Sequence, residues 1–443
     1  MVLDGSVSLE AIATVAVSAL LISSLLGVLS IAVPWLIGRA VAESTRVRAL
    51  FHAQLAVWLS SVALAVCVLE SDPAVGAASF AWLPVELAGL RLGASIDGLA
   101  AGLLVGVTSL TGIVQHFSFR YVHRDAGNAR FFFLLETFQL GMILLVSASH
   151  LVGLIAGWEL VGLSSTFLIA YFLQRRDPVE SAMIAFVSYR ICDVGLILGA
   201  ALLTHTLGDV PISAWTARAT EAAAHPWAIE LAGMCFVIAA IGKSGQLPAS
   251  SWLPRAMEGP TPSSAIFYGA LSIHAGIYLL IRLEPLLATA WAARGLLLVV
   301  GMGTALYASS VGRVAADIKS RLAYAAMAQV GFMLVELALG WSTVATWHLG
   351  AHACWRTWQL LRAPSALHDS HRAHPFVSHA PHPGIRGQTD PAGLRWYARR
   401  LDHFGLEALV ARGLVLPARQ LVSVLERLDP WHEPTRDAAG PLP

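Results

Sequence analysis

Of the 29 basic residues in this chain, only two are lysines, at positions 243 and 319. Lys243 lies in IGKSGQLP, Ile241 to Pro248, directly after the apolar run AIELAGMCFVIAA. An arginine cannot release its proton in a protein, because its intrinsic pKa is above about 12. A lysine amine withdrawn from water can titrate near neutrality. A site that must alternate between charged and neutral therefore needs lysine rather than arginine. Gly242, Gly245 and Pro248 flank it and break the helix, which frees carbonyls and allows the bend that ion-binding segments of transporters use. The competing reading is a permanent ion pair with an acid such as Glu159 that only holds helices together.

Other polar residues interrupt apolar runs, where charge is costly and usually marks an ion path or a pair. Glu159 lies in LIAGWELVGLSS, Glu136 in FFFLLETFQL and His274 in ALSIHAGIYLL. His274 is a candidate proton relay, since imidazole titrates near neutral pH, or else a packed, hydrogen-bonded histidine. Glu136 is a relay or pair member rather than a lipid-facing group. Arg190 and Asp193, three residues apart in SYRICDVGL, read as a structural pair on one helix. His348, His352 and Arg356 recur every four residues and share one helix face. Lys319, in AADIKSRLAY, reads most simply as an interfacial or cytoplasmic charge at a helix entrance, with a role in guarding a path as the alternative.

These residues need elements to carry them. The chain has 443 residues, 56% hydrophobic and 13% charged, against roughly 25% charged in soluble domains. That describes a polytopic membrane protein. Runs of about 20 apolar residues, each enough for one crossing, lie near 10–33, 50–70, 97–118, 130–148, 150–173, 182–204, 228–250, 262–282, 293–311, 321–340 and 343–362. They are too long and continuous for barrel strands, so the fold class is all-α integral membrane, a bundle of about eleven transmembrane helices. The start, MVLDGSVSLE, is acidic and unlike a cleaved signal peptide. Basic residues concentrate in the odd-numbered loops, which places the N-terminus outside and the tail in the cytoplasm. Cys67, Cys192, Cys235 and Cys354 are far apart and read as small core residues. No basic block suggests nucleic acid, and no motif suggests flavin, quinone or iron–sulfur ligation.

The chain divides into N-terminal membrane helices (1–95), a conducting core (96–362), a His/Pro/Gly-rich linker (363–392) and a tail (393–443). In the tail, LRWYARRLDHFGLEAL and GLVLPARQLVSVLERL are amphipathic and too short to span, so they read as lying on the membrane or on a partner, with a free cytoplasmic hairpin as the alternative. The linker and tail histidines His368, His371, His374, His379 and His382 have no fixed periodicity and read as solvated rather than metal-binding. No cofactor is expected in this chain.

The segments DGLAAGLLVGVTSLTGIVQHFSFRYVHRDAGNARFF, GWELVGLSSTFLIAYF, GKSGQLPASSWLPRAMEGPTPSSA, DIKSRLAYAAMAQVGFM and HLGAHACWRTWQLL resemble the antiporter-like family. That family includes the largest membrane subunit of respiratory complex I and the big subunits of multisubunit sodium/proton antiporters. The resemblance runs from about 95 to 362. It implies inverted five-helix repeats with broken helices, and a key pair of Glu159 on the fifth helix and Lys243 on the seventh.

The departures carry more information. Tyr268 stands where the family pattern has histidine, and His274 follows six residues later, roughly 9 Å along a helix axis. Ile184 replaces a lysine common on the sixth helix, WLPDAMEGPTP reads WLPRAMEGPTP with Arg255, and the lysine of HAFFKA is Arg356. The second repeat is expected to stop after the eleventh helix. This combination resembles the short membrane subunit of the DAB inorganic-carbon accumulation system, a protein of the bacterial cytoplasmic (inner) membrane. The resemblance implies a large soluble, zinc-containing, carbonic-anhydrase-like partner on the cytoplasmic side. The chain itself would be no enzyme, but a cation-conducting subunit energising CO2/bicarbonate uptake. The alternatives are a proton-pumping subunit of a respiratory NADH-quinone oxidoreductase-like complex, a Na⁺/H⁺ antiporter subunit, or a structural anchor.

Overall fold

The structure, a computed structural model, describes residues 9–39, 41–70, 78–80, 86–87, 90–91, 93–363 and 391–405, together with 412 and 420. Within Met1–Gly384 the chain forms a bundle of helices. In order they are α1 (Leu9–Leu36), α2 (Glu43–Glu70), α3 (Gly98–Tyr121), α4 (Asn128–Ser147), α5 (Leu151–Ile169) and α6 (Arg176–Leu207). There follow α7 (Pro226–Lys243), the interrupted α8 (Thr261–Leu287), α9 (Trp291–Val311), α10 (Ile318–Ala338) and α11 (Ser342–Arg362). Between α2 and α3, strand β1 (Ala78–Phe80) pairs antiparallel with β4 (Ala94–Ile96), and β2 (Glu86–Leu87) with β3 (Leu90–Arg91).

Among the described residues, ten helices are long and apolar enough to cross a membrane, against the eleven expected. The eleventh segment is a helix, α11, of 21 residues, about 30 Å at 1.5 Å per residue. Its composition falls short because His348, His352, Arg356 and Gln359 occupy it. His352 and Arg356 are buried against the bundle, while Trp347, Trp355 and Trp358 face outward. Cys354, expected in the core, lies on that outward side and is exposed; two residues from His352, it stands on the opposite face of the helix. Cys67 and Cys192 are buried, as expected.

Local signals account for the helix ends. Asp97 caps α3, its Oδ1 accepting the Ala100 N–H at 2.8 Å, and Asp317 caps α10 by accepting from Ser320. Helices α4 and α5 cross where both lack side chains: a Cβ on Gly157 would stand 2.6 Å from the Gly141 carbonyl oxygen. This small-residue contact lets the two backbones touch and seats Trp158 and Glu159 against the interior. The span α8 is buried continuously from Thr261 to Leu280 and forms the centre of the bundle. It is α-helical at Thr261–Ser264, π-helical at Ala265–Ala270, 3₁₀ at Ser272–His274 and α-helical again from Ala275.

Residues Ile385–Pro443 form a separate unit. Its described helix, α12 (Pro391–Leu401), shows exposed Trp396, Tyr397 and Leu401 and ends in Arg399 and Arg400. The second expected tail helix lies outside the described residues apart from Gln420, and so do the five linker and tail histidines.

Candidate functional site

Helix α7 stops at Lys243, and the chain turns through Gly245, whose φ of +62° favours glycine. Pro248 opens the 3₁₀ turn Ala249–Ser251. The break leaves main-chain groups for other partners. The Gly242 carbonyl accepts from Trp252 Nε1 at 3.0 Å, and Ser244 Oγ donates to the Ile273 carbonyl of α8 at 2.7 Å. The Gly242–Pro248 segment is therefore tied to the kinked middle of α8.

The Lys243 side chain runs into the bundle and is 1% exposed. Its Nζ donates to the Trp158 carbonyl at 2.8 Å and lies 5.0 Å from the Trp158 ring and 5.2 Å from the Tyr189 ring. Among the described residues, no carboxylate reaches Nζ within ion-pair distance. The ammonium is thus held by one carbonyl and two aromatic faces, interactions much weaker than a buried charge pair.

The acids close to it belong to arginine. Arg190 ion-pairs with Glu159 through Nη1, and with Asp193 through Nη2 at 2.9 Å. The direct ion pair of Glu159 with Lys243, the competing reading, is not formed; Glu159 belongs instead to a Glu159–Arg190–Asp193 triad. A planar guanidinium can hold two carboxylates at once, whereas an ammonium is a single point charge. The Arg190–Asp193 pair expected within α6 is present. Trp158 links the two arrangements: its indole Nε1 donates to Asp193 Oδ1 at 2.6 Å while its carbonyl holds Lys243. Asp193 and Glu159 also act through space on the Lys243 charge.

A second group of side chains joins α8 to α11. His274 Nδ1 bonds the Ala270 carbonyl, and its Nε2 meets His352 Nδ1 at 2.9 Å. A carbonyl only accepts, so His274 Nδ1 carries a hydrogen. Neutral His274 then offers Nε2 as an acceptor, His352 Nδ1–H donates to it, and His352 Nε2 is left with a free lone pair. That Nε2 is buried and has no hydrogen-bond partner among the described residues. His348 bonds Glu336 at 2.8 Å and Gln329 at 3.0 Å, both on α10. Arg356 donates to Gln359 at 2.8 Å and packs against Gly269 in the π-helical turn. Tyr268 is buried with no partner for its hydroxyl among the described residues.

Lys319 lies in the first turn of α10, at the helix entrance where it was expected. Its Nζ turns inward and caps the carbonyls of Met257 at 2.7 Å and Gly259 at 3.1 Å, where the turn after Trp252 leaves them unsatisfied by helix. Glu136 is buried on α4 and accepts from Gln115 of α3, apart from the Lys243 group. Glu336, Gln329 and Gln115 were not singled out from sequence; Glu336 sits in LVELALG and meets the same criterion as Glu136. Among the described residues, no group of three His, Cys, Asp or Glu side chains is placed to hold a metal.

Comparison with known proteins identifies the family to which these helices are similar. Residues 148–379 match the family described as NADH:quinone oxidoreductase/Mrp antiporter, TM, and residues 82–132 match NADH-Ubiquinone oxidoreductase (complex I), chain 5 N-terminus. NADH-quinone oxidoreductase subunit L of Rhodobacter capsulatus is 36% identical over 294 residues, covering 63% of this chain and 41% of its own length. NADH-ubiquinone oxidoreductase chain 5 of Neurospora crassa is 34% identical over 289 residues, covering 65% and 40%. The chain thus spans about two fifths of the length of these relatives. Among solved structures, the Mrp complex from Dietzia sp. DQ12-45-1b superposes with a TM-score of 0.64 at 27% identity, covering 79% of this chain and 37% of that one. An archaeal respiratory membrane complex, the membrane-bound sulfane sulfur reductase, shares the fold with a TM-score of 0.65 at 18% identity, covering 79% and 70%.

Proposed function

Because this chain belongs to the NADH:quinone oxidoreductase/Mrp antiporter transmembrane family, we propose that it is a cation-translocating subunit of a membrane complex, with Lys243 as the group that gains and loses charge. One observation carries this reading. The amine is fully buried yet held by a carbonyl and two aromatic rings, while Arg190 occupies the neighbouring acids. A purely structural cation would be expected to take those acids itself.

In the working cycle, a proton reaches Lys243 beside the Glu159–Arg190–Asp193 triad. It leaves toward α8, where His274 and His352 form the next titratable pair. Ser244 and Ile273 tie the Lys243 turn to the 3₁₀ segment of α8, so a change in charge at Lys243 pulls on an irregular helix. An irregular helix with two local windings is the bistable element through which the site would act on a partner.

The finer assignment is that this movement energises inorganic-carbon uptake. The partner would be a large soluble, zinc-containing, carbonic-anhydrase-like protein on the cytoplasmic side of a bacterial inner membrane. Three departures from the family pattern support it: Tyr268, the displaced His274 that engages His352, and Arg356. The tail from Pro391, with its basic amphipathic helix, would lie on the partner or the bilayer. The second reading is a proton-pumping module of a respiratory complex, favoured by the 36% identity with a NADH-quinone oxidoreductase subunit. Purification from membranes in mild detergent tests the choice. Co-purification of a large zinc protein supports carbon uptake; recovery of redox-centre subunits supports the respiratory reading. Sodium-dependent proton exchange without any soluble partner would favour an antiporter subunit instead.

A further inference from the structure

The buried carboxyl of Glu136 has no part in the Lys243 group. It lies in the quarter of the bundle made by α1 to α4, where other polar groups converge. Gln115 of α3 donates to its Oε1. Gly27 of α1 makes room for its other oxygen: a Cβ there would stand 2.6 Å from Oε2. One turn along α4, Gln139 is fully buried, and neither its Nε2 nor its Oε1 has a partner among the described residues. Ser24, a turn before Gly27, is equally buried with an unpartnered hydroxyl. Buried amides and hydroxyls are almost always satisfied, so several orphans in one place indicate water or a small polar guest.

This region has its own opening. Between α2 and α3 lies a cavity of about 510 Å³ whose walls include Gln54, Thr108, Gln115 and His116. Phe51, Leu55, Trp58 and Ile113 form its exposed rim on the outer face of the bundle. Gln54 Nε2 donates to the Thr108 carbonyl at 2.7 Å, and Thr108 Oγ1 shares a hydrogen bond with Ser61 at 2.8 Å. Gln115 both lines the cavity and bonds Glu136, so it stands between them.

We propose that Glu136 is a proton-binding site reached from the side of the bundle, through the α2–α3 cavity and Gln115, separate from the Lys243 group. Its partners fit a carboxyl that takes up a proton rather than one fixed in an ion pair. Among the described residues, no basic side chain lies within ion-pair distance of it. Of the titratable groups on the surrounding helices, α3 carries His116 on the cavity wall with Arg120 and Tyr121 beyond it. Arg130 lies at the start of α4, and Glu159 of α5 is held by Arg190. The purpose of such a site, feeding or balancing translocation, rests on the function proposed above; its existence does not.

The test is labelling of the full chain in its complex with dicyclohexylcarbodiimide, an apolar reagent. A carboxylic acid adds to it as its proton passes to a carbodiimide nitrogen and its oxygen bonds the central carbon. Rearrangement then leaves a stable acylurea that mass spectrometry locates. The expected result is modification of Glu136 that is lost as pH rises, is indifferent to exchange of sodium for choline, and is slowed by Ile113→Trp at the cavity rim. The label should persist in a transport-dead Lys243→Ala complex, which separates this test from the translocation reading. An unmodified Glu136 at every pH, protection by sodium, or an unchanged rate in Ile113→Trp would overturn the proposal.

Discussion

Lys243 Nζ donates a 2.8 Å hydrogen bond to the main-chain carbonyl of Trp158, the residue immediately before Glu159. The amine thus reaches the backbone beside the acid while the acid itself turns to Arg190. A carbonyl accepts from an ammonium and, more weakly, from a neutral amine. The contact can therefore persist through a change of charge, which a salt bridge with Glu159 could not do without leaving a carboxylate unpaired.

The triad divides into two unequal halves. Arg190 and Glu159 are both about one third exposed, at 37% and 34%, so loss of their pair strands a less enclosed charge. Asp193 is 3% exposed, and removing its cation leaves a buried charge at a cost of about 3 kcal/mol. Arg190→Met is expected to lower the thermal stability of the detergent-solubilised complex markedly, and Arg190→Met with Asp193→Asn to recover most of it. Melting curves of the single and double variants check this; equal loss in both would count against the inequality.

The histidine pair makes a directional prediction. Nitrogen NMR of the resting chain should show His274 protonated at Nδ1 and bare at Nε2, because Nδ1 meets the Ala270 carbonyl. His352→Gln keeps a side chain able to donate to His274 but cannot titrate. It should preserve folding while reducing proton flux in vesicles about a hundredfold or more, in the range that loss of one acid–base group typically costs. Full flux in this variant would remove His352 from the path.

Outside the membrane spans, Asp97 offers a pH test. Burial alone would raise its carboxyl, but Arg282 and the Ala100 N–H hold it below its ordinary value. A depressed carboxyl adds stability above its unfolded-state value, and this contribution disappears as pH falls through the folded-state value. Acidification through the carboxylate range should therefore lower the melting temperature. Asp97→Asn should flatten that part of the profile, with a loss of about 1 kcal/mol from the weakened cap and pair at neutral pH. An unchanged acid limb would show that Asp97 does not govern it.

Much of this arrangement was legible along the chain. The apolar runs placed the helices, and the glycines and proline after Ile241 marked the break that ends α7 at Lys243. The four-residue spacing of His348, His352 and Arg356 put them on one face of α11. Contacts between distant segments were not legible. His274 and His352 are 78 residues apart, and no periodicity relates them. Arg190 read as the partner of Asp193 alone, because its second partner arrives from α5. Lys319 read as an interfacial charge without named partners, because the Met257 and Gly259 carbonyls that it caps belong to an irregular turn. Helix α11 was legible as a helix, and its modest hydropathy has a physical reason: its polar side faces protein rather than lipid, beside α8 and α10.

With only two lysines in the chain, selective ¹⁵N-lysine labelling gives two side-chain signals, and Lys243→Arg assigns them. Side-chain nitrogen NMR across the pH range of activity then reads the charge of Lys243 directly, alongside proton flux for wild type and Lys243→Arg. If Lys243 cycles between charged and neutral, its signal passes from ammonium to amine within that range, and the arginine variant assembles but conducts nothing. An ammonium signal that persists throughout, with normal flux in Lys243→Arg, would contradict the mechanism.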